Sequence, residues 1–208
     1  MKPLPLLVAL FMAATASASA AEPVVSLAGD YGEPRVIIPA SADPGLAHHS
    51  WPKVLRAKDG TLVVAFIAGR FHGNHGEGSP AVAHSTNGGQ TFSAPHVLKR
   101  FTAQSEHTSA GNVALGVAED GSVALLSMAY RANAANTVDG WRSTDGGRTW
   151  QAADTATLDR NQTGSVFGEV PAVPGKGLAV FGHYRTGSLT QTQGLWFAWS
   201  ADSGKSWG

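Results

Sequence analysis

Along most of the chain, apolar residues gather in short runs separated by turn residues, and past the first twenty positions no segment repeats its apolar residues every 3.6. The runs fall into three successive units. The first holds Lys53-Val54-Leu55-Arg56, then Leu62 to Gly69 ending at Arg70, then Pro80 to His84. The second holds Asn112 to Val117, Val123 to Tyr130 ending at Arg131, and Val138 to Arg142. The third holds Val166 to Val173, Leu178 to Tyr184 ending at Arg185, and Leu195 to Ser200. Asp59-Gly60, Asp120-Gly121 and Gly175-Lys176-Gly177 sit between the first and second runs. Short β-rich runs joined by such turns predict hairpins.

Each unit closes on the same eight-residue signature, S-x-[DN]-x-G-x-[TS]-[WF], beginning at Ser85, Ser143 and Ser200 and therefore spaced by 58 and 57 residues. Its chemistry is local. Asn or Asp turns the chain by accepting hydrogen bonds from its own backbone, Gly supplies a positive φ, and the final aromatic packs back on the unit. Asp145 and Asp202 are accordingly read as turn residues, not catalytic ones. Three hairpin-connected strands and one after the signature make a four-stranded sheet, and radial repetition of such sheets predicts an all-β propeller with about three blades in this chain. A β-sandwich is the alternative arrangement of the same strands.

Composition narrows the partners. Lys+Arg 15 against Asp+Glu 15 gives no net charge, so nothing favours nucleic acid or an anionic membrane surface. Residues 1–20 carry one cation, Lys2, an apolar run from Leu4 to Ala14, and Ala18-Ser19-Ala20, the pattern of a cleaved secretory signal. That run is too short to span a bilayer. The expected product is secreted or periplasmic, with residues 21–208 forming a propeller that stops after the third signature. With Cys 0, it must be held by burial and backbone pairing without disulfides.

In a meandering blade the tight turns and the signatures share one face, and the longer connections share the other. Long loops on one face of a rigid scaffold are where binding concentrates. That face collects His48, His49, Trp51, Arg70, His72, His75, Glu77, Glu106, His107, Arg131, Arg160, Tyr184 and Arg185. Arg70, Arg131 and Arg185 end the second strand of successive units. Leaning inward they would fork onto a carboxylate; leaning outward they would be solvated or bind carbonyls of the next unit. His72, Asn74, His75 and Glu77 occupy a Gly-rich loop. Two histidines on such a loop fall short of a preorganised metal site, and neither metal nor cofactor is expected. Trp51, Phe71 and Phe101 are candidates for stacking on a sugar.

From Trp51 to the end, Pro52 to Arg56, Asp59-Gly60-Thr61-Leu62-Val63-Val64-Ala65-Phe66, Ala68-Gly69-Arg70 and the signatures resemble the sialidase superfamily of BNR or Asp-box glycoside hydrolases. The resemblance implies a six-bladed propeller when complete. It also implies hydrolysis of terminal sialic acids by a Tyr nucleophile assisted by Glu, an acid/base carboxylate, and three Arg on the substrate carboxylate. Arg70 matches the family arginine that ends strand two. Five residues on, where the family acid/base is expected, stands His75, and the nearest carboxylate is Glu77. Ser50 stands where the first family arginine precedes the Pro, and Arg35 is spaced wrongly to replace it. The Tyr/Glu pair and the other two arginines belong to later blades of the family, so this length alone is not expected to be catalytically competent.

The expected function is therefore that of a sialidase-like exo-glycosidase acting on terminal sialic acid or a related sugar. Glu77 or His75 donates a proton, and Arg70 binds or orients, with Arg131, Arg185, His72 and Trp51 contacting substrate. The alternatives are a non-catalytic propeller that binds glycan or protein through the same face, and an assembly factor. The sequence does not define the oligomeric state.

Overall fold

The computed structural model describes residues 34–73, 75–131, 136–161, 163–185 and 193–208. The chain divides into two units, Met1–Arg35 and Val36–Gly208, and every described strand belongs to the second. The expected leader lies outside the described residues. Three four-stranded antiparallel sheets succeed one another along the chain. The first contains β1 (His48–Arg56), β2 (Leu62–Gly69), β3 (Ser79–Ser85) and β4 (His96–Val97). The second contains β5 (Ser109–Val117), β6 (Val123–Tyr130), β7 (Thr137–Ser143) and β8 (Gln151–Ala152). After a short 3₁₀ turn at Ala156–Asn161, the third contains β9 (Thr163–Val166), β10 (Ala172–Val173), β11 (Gly177–Arg185) and β12 (Gln193–Ser200). These are blades of a β-propeller: each is a meander, and neighbours stack face to face.

Stacking obeys the period-2 alternation of each strand. Val63, Ala65, Ile67 and Val82 of the first sheet share one apolar cluster with Val113, Leu115, Leu125 and Trp141 of the second. Ala124, Leu126 and Val138, on the opposite face of the second sheet, share another with Val166, Leu178, Val180 and Ala198 of the third. The outward face of the third sheet carries the cross-strand pairs Ala179 with Trp199, Phe181 with Phe197, and His183 with Leu195. There Leu195 is 80% and Phe197 58% exposed, at positions that pair and alternate like the buried residues of the sheets before it.

The third first strand departs from expectation. Val166 to Val173 does not run through as one strand: β9 and β10 both pair with β11, and the segment between them leaves the sheet. The Val170 N–H donates to the Leu115 carbonyl at 3.1 Å, and Glu169 bridges Leu115 in parallel. Val170 is thereby buried against the second sheet, close enough to Gly116 that a side chain there would strike the Val170 carbonyl. Gly168, at φ +84°, and Pro171, which has no N–H to give, mark the two bends.

The three signature turns are built alike. Ser143 Oγ donates to Asp145 Oδ1 at 2.7 Å and accepts the Gly147 N–H at 2.8 Å. The same carboxylate accepts the N–H groups of Arg148 and Thr149 and, at 2.6 Å, the Thr149 hydroxyl. Ser200, Asp202, Gly204, Lys205 and Ser206 repeat the set. Asn87 keeps the bonds to Ser85 and the Thr91 N–H, but its amide Nδ2 donates to Thr91 Oγ1 at 2.8 Å, and the Gln90 N–H reaches the Asn87 backbone carbonyl at 3.4 Å. Trp150 folds back with its indole N–H on the Gly147 carbonyl at 2.9 Å.

These turns also tie one sheet to the next. Arg148, in the second signature, reaches Asp59 at 2.9 Å and Thr61 at 3.0 Å in the first sheet's opening turn. Arg142 links Asp120 at 3.1 Å, in the second opening turn, to the Ser203 carbonyl at 2.8 Å in the third signature. Hydrogen bonds from the Thr61 backbone and from Arg148 hold the Asp59 carboxyl at about 2. Burial pushes the Asp145 and Asp202 carboxyls up, but the hydroxyl and N–H donors around each outweigh it and hold them at about 2. For Asp120, burial is likewise outweighed by Ser122, Ser203 and Arg142.

A carboxyl held below its ordinary 3.8 contributes stability that is fully present above that value and is lost as pH falls toward the folded value near 2. Urea unfolding is therefore expected to show stability dropping between about pH 4 and pH 2. At neutral pH, Asp145→Ala, which strands donors at a partly solvated turn, should cost about 1–2 kcal/mol, and Asp145→Asn about half that. Equal losses in the two variants would contradict this role of the side-chain oxygen.

Candidate functional site

Strand register places the long connections together. Gly69, the end of β2, pairs with His48, the start of β1, and Ala68 pairs with Ser79 on the other side. Tyr130, the end of β6, pairs with Ser109 in the same way. The starts of β1 and β5 and the 70–78 loop therefore meet on the face opposite the signature turns.

Both first strands bulge at the same register. The β1–β2 pairing slips between Ser50 and Lys53, and the β5–β6 pairing between Gly111 and Val113. Trp51 and Asn112 occupy equivalent places in these bulges, with φ of 49° and 52°. Bulges re-aim side chains next to functional sites. Asn tolerates this left-handed backbone, whereas for a bulky Trp it is an outlier that the surroundings must enforce. Trp51 is half-buried against the cluster between the first two sheets, and its ring centre lies 4.4 Å from that of His72. His48 meets His72 edge-on at 5.7 Å. His49 turns the other way onto Phe66 at 4.6 Å, where burial lowers its pKa below 6.5.

The 70–78 loop is closed by its backbone and anchored to the second sheet. The Arg70 N–H donates to the Gly76 carbonyl at 2.8 Å, and the Gly76 N–H to that of Gly73 at 3.1 Å. Gly78 accepts the Ala110 N–H at 2.6 Å and donates its own N–H to Ser109 Oγ at 2.9 Å. Only glycine fits there, because a Cβ would come within 2.6 Å of Ile67 and 2.8 Å of the Ala110 carbonyl. Glu77, at φ 52°, faces Arg70 across the loop with Oε1 3.4 Å from the guanidinium. The glutamate side chain is 23% exposed and the arginine 60%. His75 meets the Tyr130 ring edge-on at 5.6 Å, so the loop reaches over the end of β6.

On the second sheet Arg131 pairs with Glu106 at 3.2 Å, and the Thr137 hydroxyl lies 3.5 Å from His107 Nε2. Arg70 and Arg131 are each exposed to solvent and turned onto a glutamate, Glu77 and Glu106. Arg185 ends β11, but its side chain, those of Tyr184 and Arg160, and all of Asn74 lie outside the described residues. Phe101, expected as a stacking residue, is 2% exposed and belongs to the core, with its N–H on Ser79 Oγ at 3.0 Å. Phe71 is 52% exposed. The sequence pattern does not single out Tyr130 or Asn112 for this face. The repeated Tyr-Arg of Tyr130-Arg131 and Tyr184-Arg185 is a signal for the former; the bulge that presents the latter depends on pairing. Among the described residues, no group of three or more His, Asp and Glu is placed to hold a metal.

No protein-family model and no curated protein matches the sequence. Solved structures do match the fold. The intramolecular trans-sialidase from Ruminococcus gnavus, in complex with oseltamivir carboxylate, aligns with a TM-score of 0.62 at 13% identity over 83% of this chain and 62% of its own. The Hadza microbial sialidase Hz136 aligns at 0.61 and 16% identity over 79% of this chain and 37% of its own. An α-L-arabinanase from Penicillium chrysogenum, complexed with arabinobiose, aligns at 0.52 and 15% identity over 83% and 51%. The chain spans about half the length of the structures it matches, and the fold it shares with them is one used by glycoside hydrolases. Among the described residues, no helix is long and apolar enough to cross a membrane.

Since the loop is seated through Gly78, Gly78→Ala should destabilise the chain by about 1–3 kcal/mol. Thermal unfolding of this variant beside Gly73→Ala, whose added methyl meets nothing within 4 Å but sits at φ +134°, checks it. A smaller loss at Gly78 than at Gly73 would contradict the anchoring.

Proposed function

We propose that this chain contributes to an exported, sialidase-like exo-glycosidase that acts on a terminal sugar, sialic acid or a related one, through the open loop face of the first two blades. The observation that supports it is the Glu77–Arg70 pair. A carboxyl and a guanidinium are held together by a closed loop, the same loop that sets His72 against the ring of Trp51. In this reading Glu77 gives a proton to the departing glycosidic oxygen as its bond to the anomeric carbon breaks, and regains one from the incoming water. Arg70 orients the sugar, and its charge keeps Glu77 in place between turnovers. His75, on Tyr130, is the other donor within the loop.

A second reading, a non-catalytic glycan-binding propeller, is favoured by one observation. Ser50 is buried with its hydroxyl directed at the Ile67 carbonyl, so the first strand presents no cation where the sialidases have one. Release of 4-methylumbelliferone from its sialic acid and neutral glycosides separates the two. Glu77→Gln should lower kcat at least about hundredfold with KM little changed, and His75→Ala much less. An unaltered kcat in Glu77→Gln would remove Glu77 from the proton-donor role. Glycan binding without turnover by any form would establish the second reading.

A further inference from the structure

Resting on the reading of the loop face as a glycan site, and narrowing its sugar from sialic acid to a related neutral one, we infer that Trp51 and His72 form a stacking platform and that the sugar they take is an uncharged pyranose. The platform comes first from the backbone. Trp51 occupies a bulge position whose equivalent in the next sheet is Asn112, at nearly the same left-handed φ. A small amide is at ease there and an indole is not, so the ring is displayed against a local backbone cost. One side of the indole rests on the core cluster between the sheets, which fixes it; the exposed imidazole of His72 stands 4.4 Å away at an interplanar angle of 44°. With His48 edge-on to His72, and Phe71, the residue before His72, 52% exposed, these rings form an aromatic corner at the start of β1. The C–H face of a pyranose fits such a corner, since aromatic rings offer it apolar area and a negative π face together.

Charge selects among sugars. Four described cations of this face are already matched: Arg70 with Glu77 at 3.4 Å, Arg131 with Glu106 at 3.2 Å, Arg100 with Asp43 at 3.1 Å and Lys99 with Asp139 at 2.8 Å. A carboxylated sugar would have to share a guanidinium whose charge a glutamate already offsets, and would set a second negative charge beside that glutamate. Two neighbouring hydroxyls of a neutral sugar meet the pair as it stands, one accepting from Arg70 and the other donating to Glu77, because a hydroxyl does both. Ser50, turned into the core beneath Trp51, adds no cation to change that balance.

The test is binding to immobilised oligosaccharides that differ only in ending on a neutral pyranose or on its sialylated or uronic-acid counterpart. Trp51→Asn carries the residue already accommodated at the equivalent bulge, and His72→Ala alters an exposed ring outside the core, so both variants should fold; circular dichroism and thermal unfolding check that they do. Preference for the neutral ends, weakened about tenfold in each variant, is the expected result. Preference for the acidic ends, or neutral binding that neither variant weakens, overturns the inference and leaves the glycan reading standing. Binding to no oligosaccharide of either kind overturns both.

Discussion

The structure depends on one acceptor group repeated three times. In each signature turn a single side-chain oxygen, from Asn87, Asp145 or Asp202, gathers the backbone N–H groups of the residues after it and the hydroxyl of the Ser before it. Without it, those donors would face water at the exposed end of a hairpin, and the third strand would have no fixed path to the fourth. The same turns carry the residues that clip one sheet to its neighbour, Arg148 to Asp59 and the Ser203 carbonyl to Arg142. Local turn chemistry and inter-sheet register are therefore coupled on one face.

This leaves the opposite face free to vary. Its loops are not required to turn tightly, and what orders them is a small number of close contacts, chiefly Gly78 on β5 and His75 on Tyr130. His48, His72 and His75, the paired Arg70 and Arg131, and the displayed Trp51 all lie there. The division resembles other folds in which a rigid scaffold bears recognition on its connecting segments. It also accounts for the strongly lowered pKa of the Asp145 and Asp202 carboxyls, a perturbation that comes from bonds completing a turn.

Strand identity and order are legible in the sequence because period-2 alternation and punctuation by Asp-Gly and the signature are local properties. β6 spans Val123–Tyr130, as the apolar run indicates. Where distant contacts decide, the pattern misleads: Val166 to Val173 reads as one strand, but Val170 is drawn away to Leu115 of the preceding sheet. At the site, Arg70, His72, His75 and Glu77 are legible as a polar Gly-rich loop, and the fold brings one of them, His72, onto Trp51. Their partners are not, since the Arg–Glu pairs depend on loop closure. Phe101 looks available only because nothing in its neighbours signals that Ser79 would draw its backbone inward. The apolar outer face of the third sheet, with Phe181, Leu195 and Phe197, likewise becomes meaningful only beside the two inter-sheet clusters that precede it.

The most direct measurement of this division of labour is native-state amide hydrogen exchange with and without a saturating glycan. The account predicts slow exchange at Gly147, Thr149, Gly204 and Ser206 in both conditions, with added protection on glycan binding confined to residues 48–51 and 70–78. Protection gained at the signature turns while those loop segments stay unchanged would contradict it.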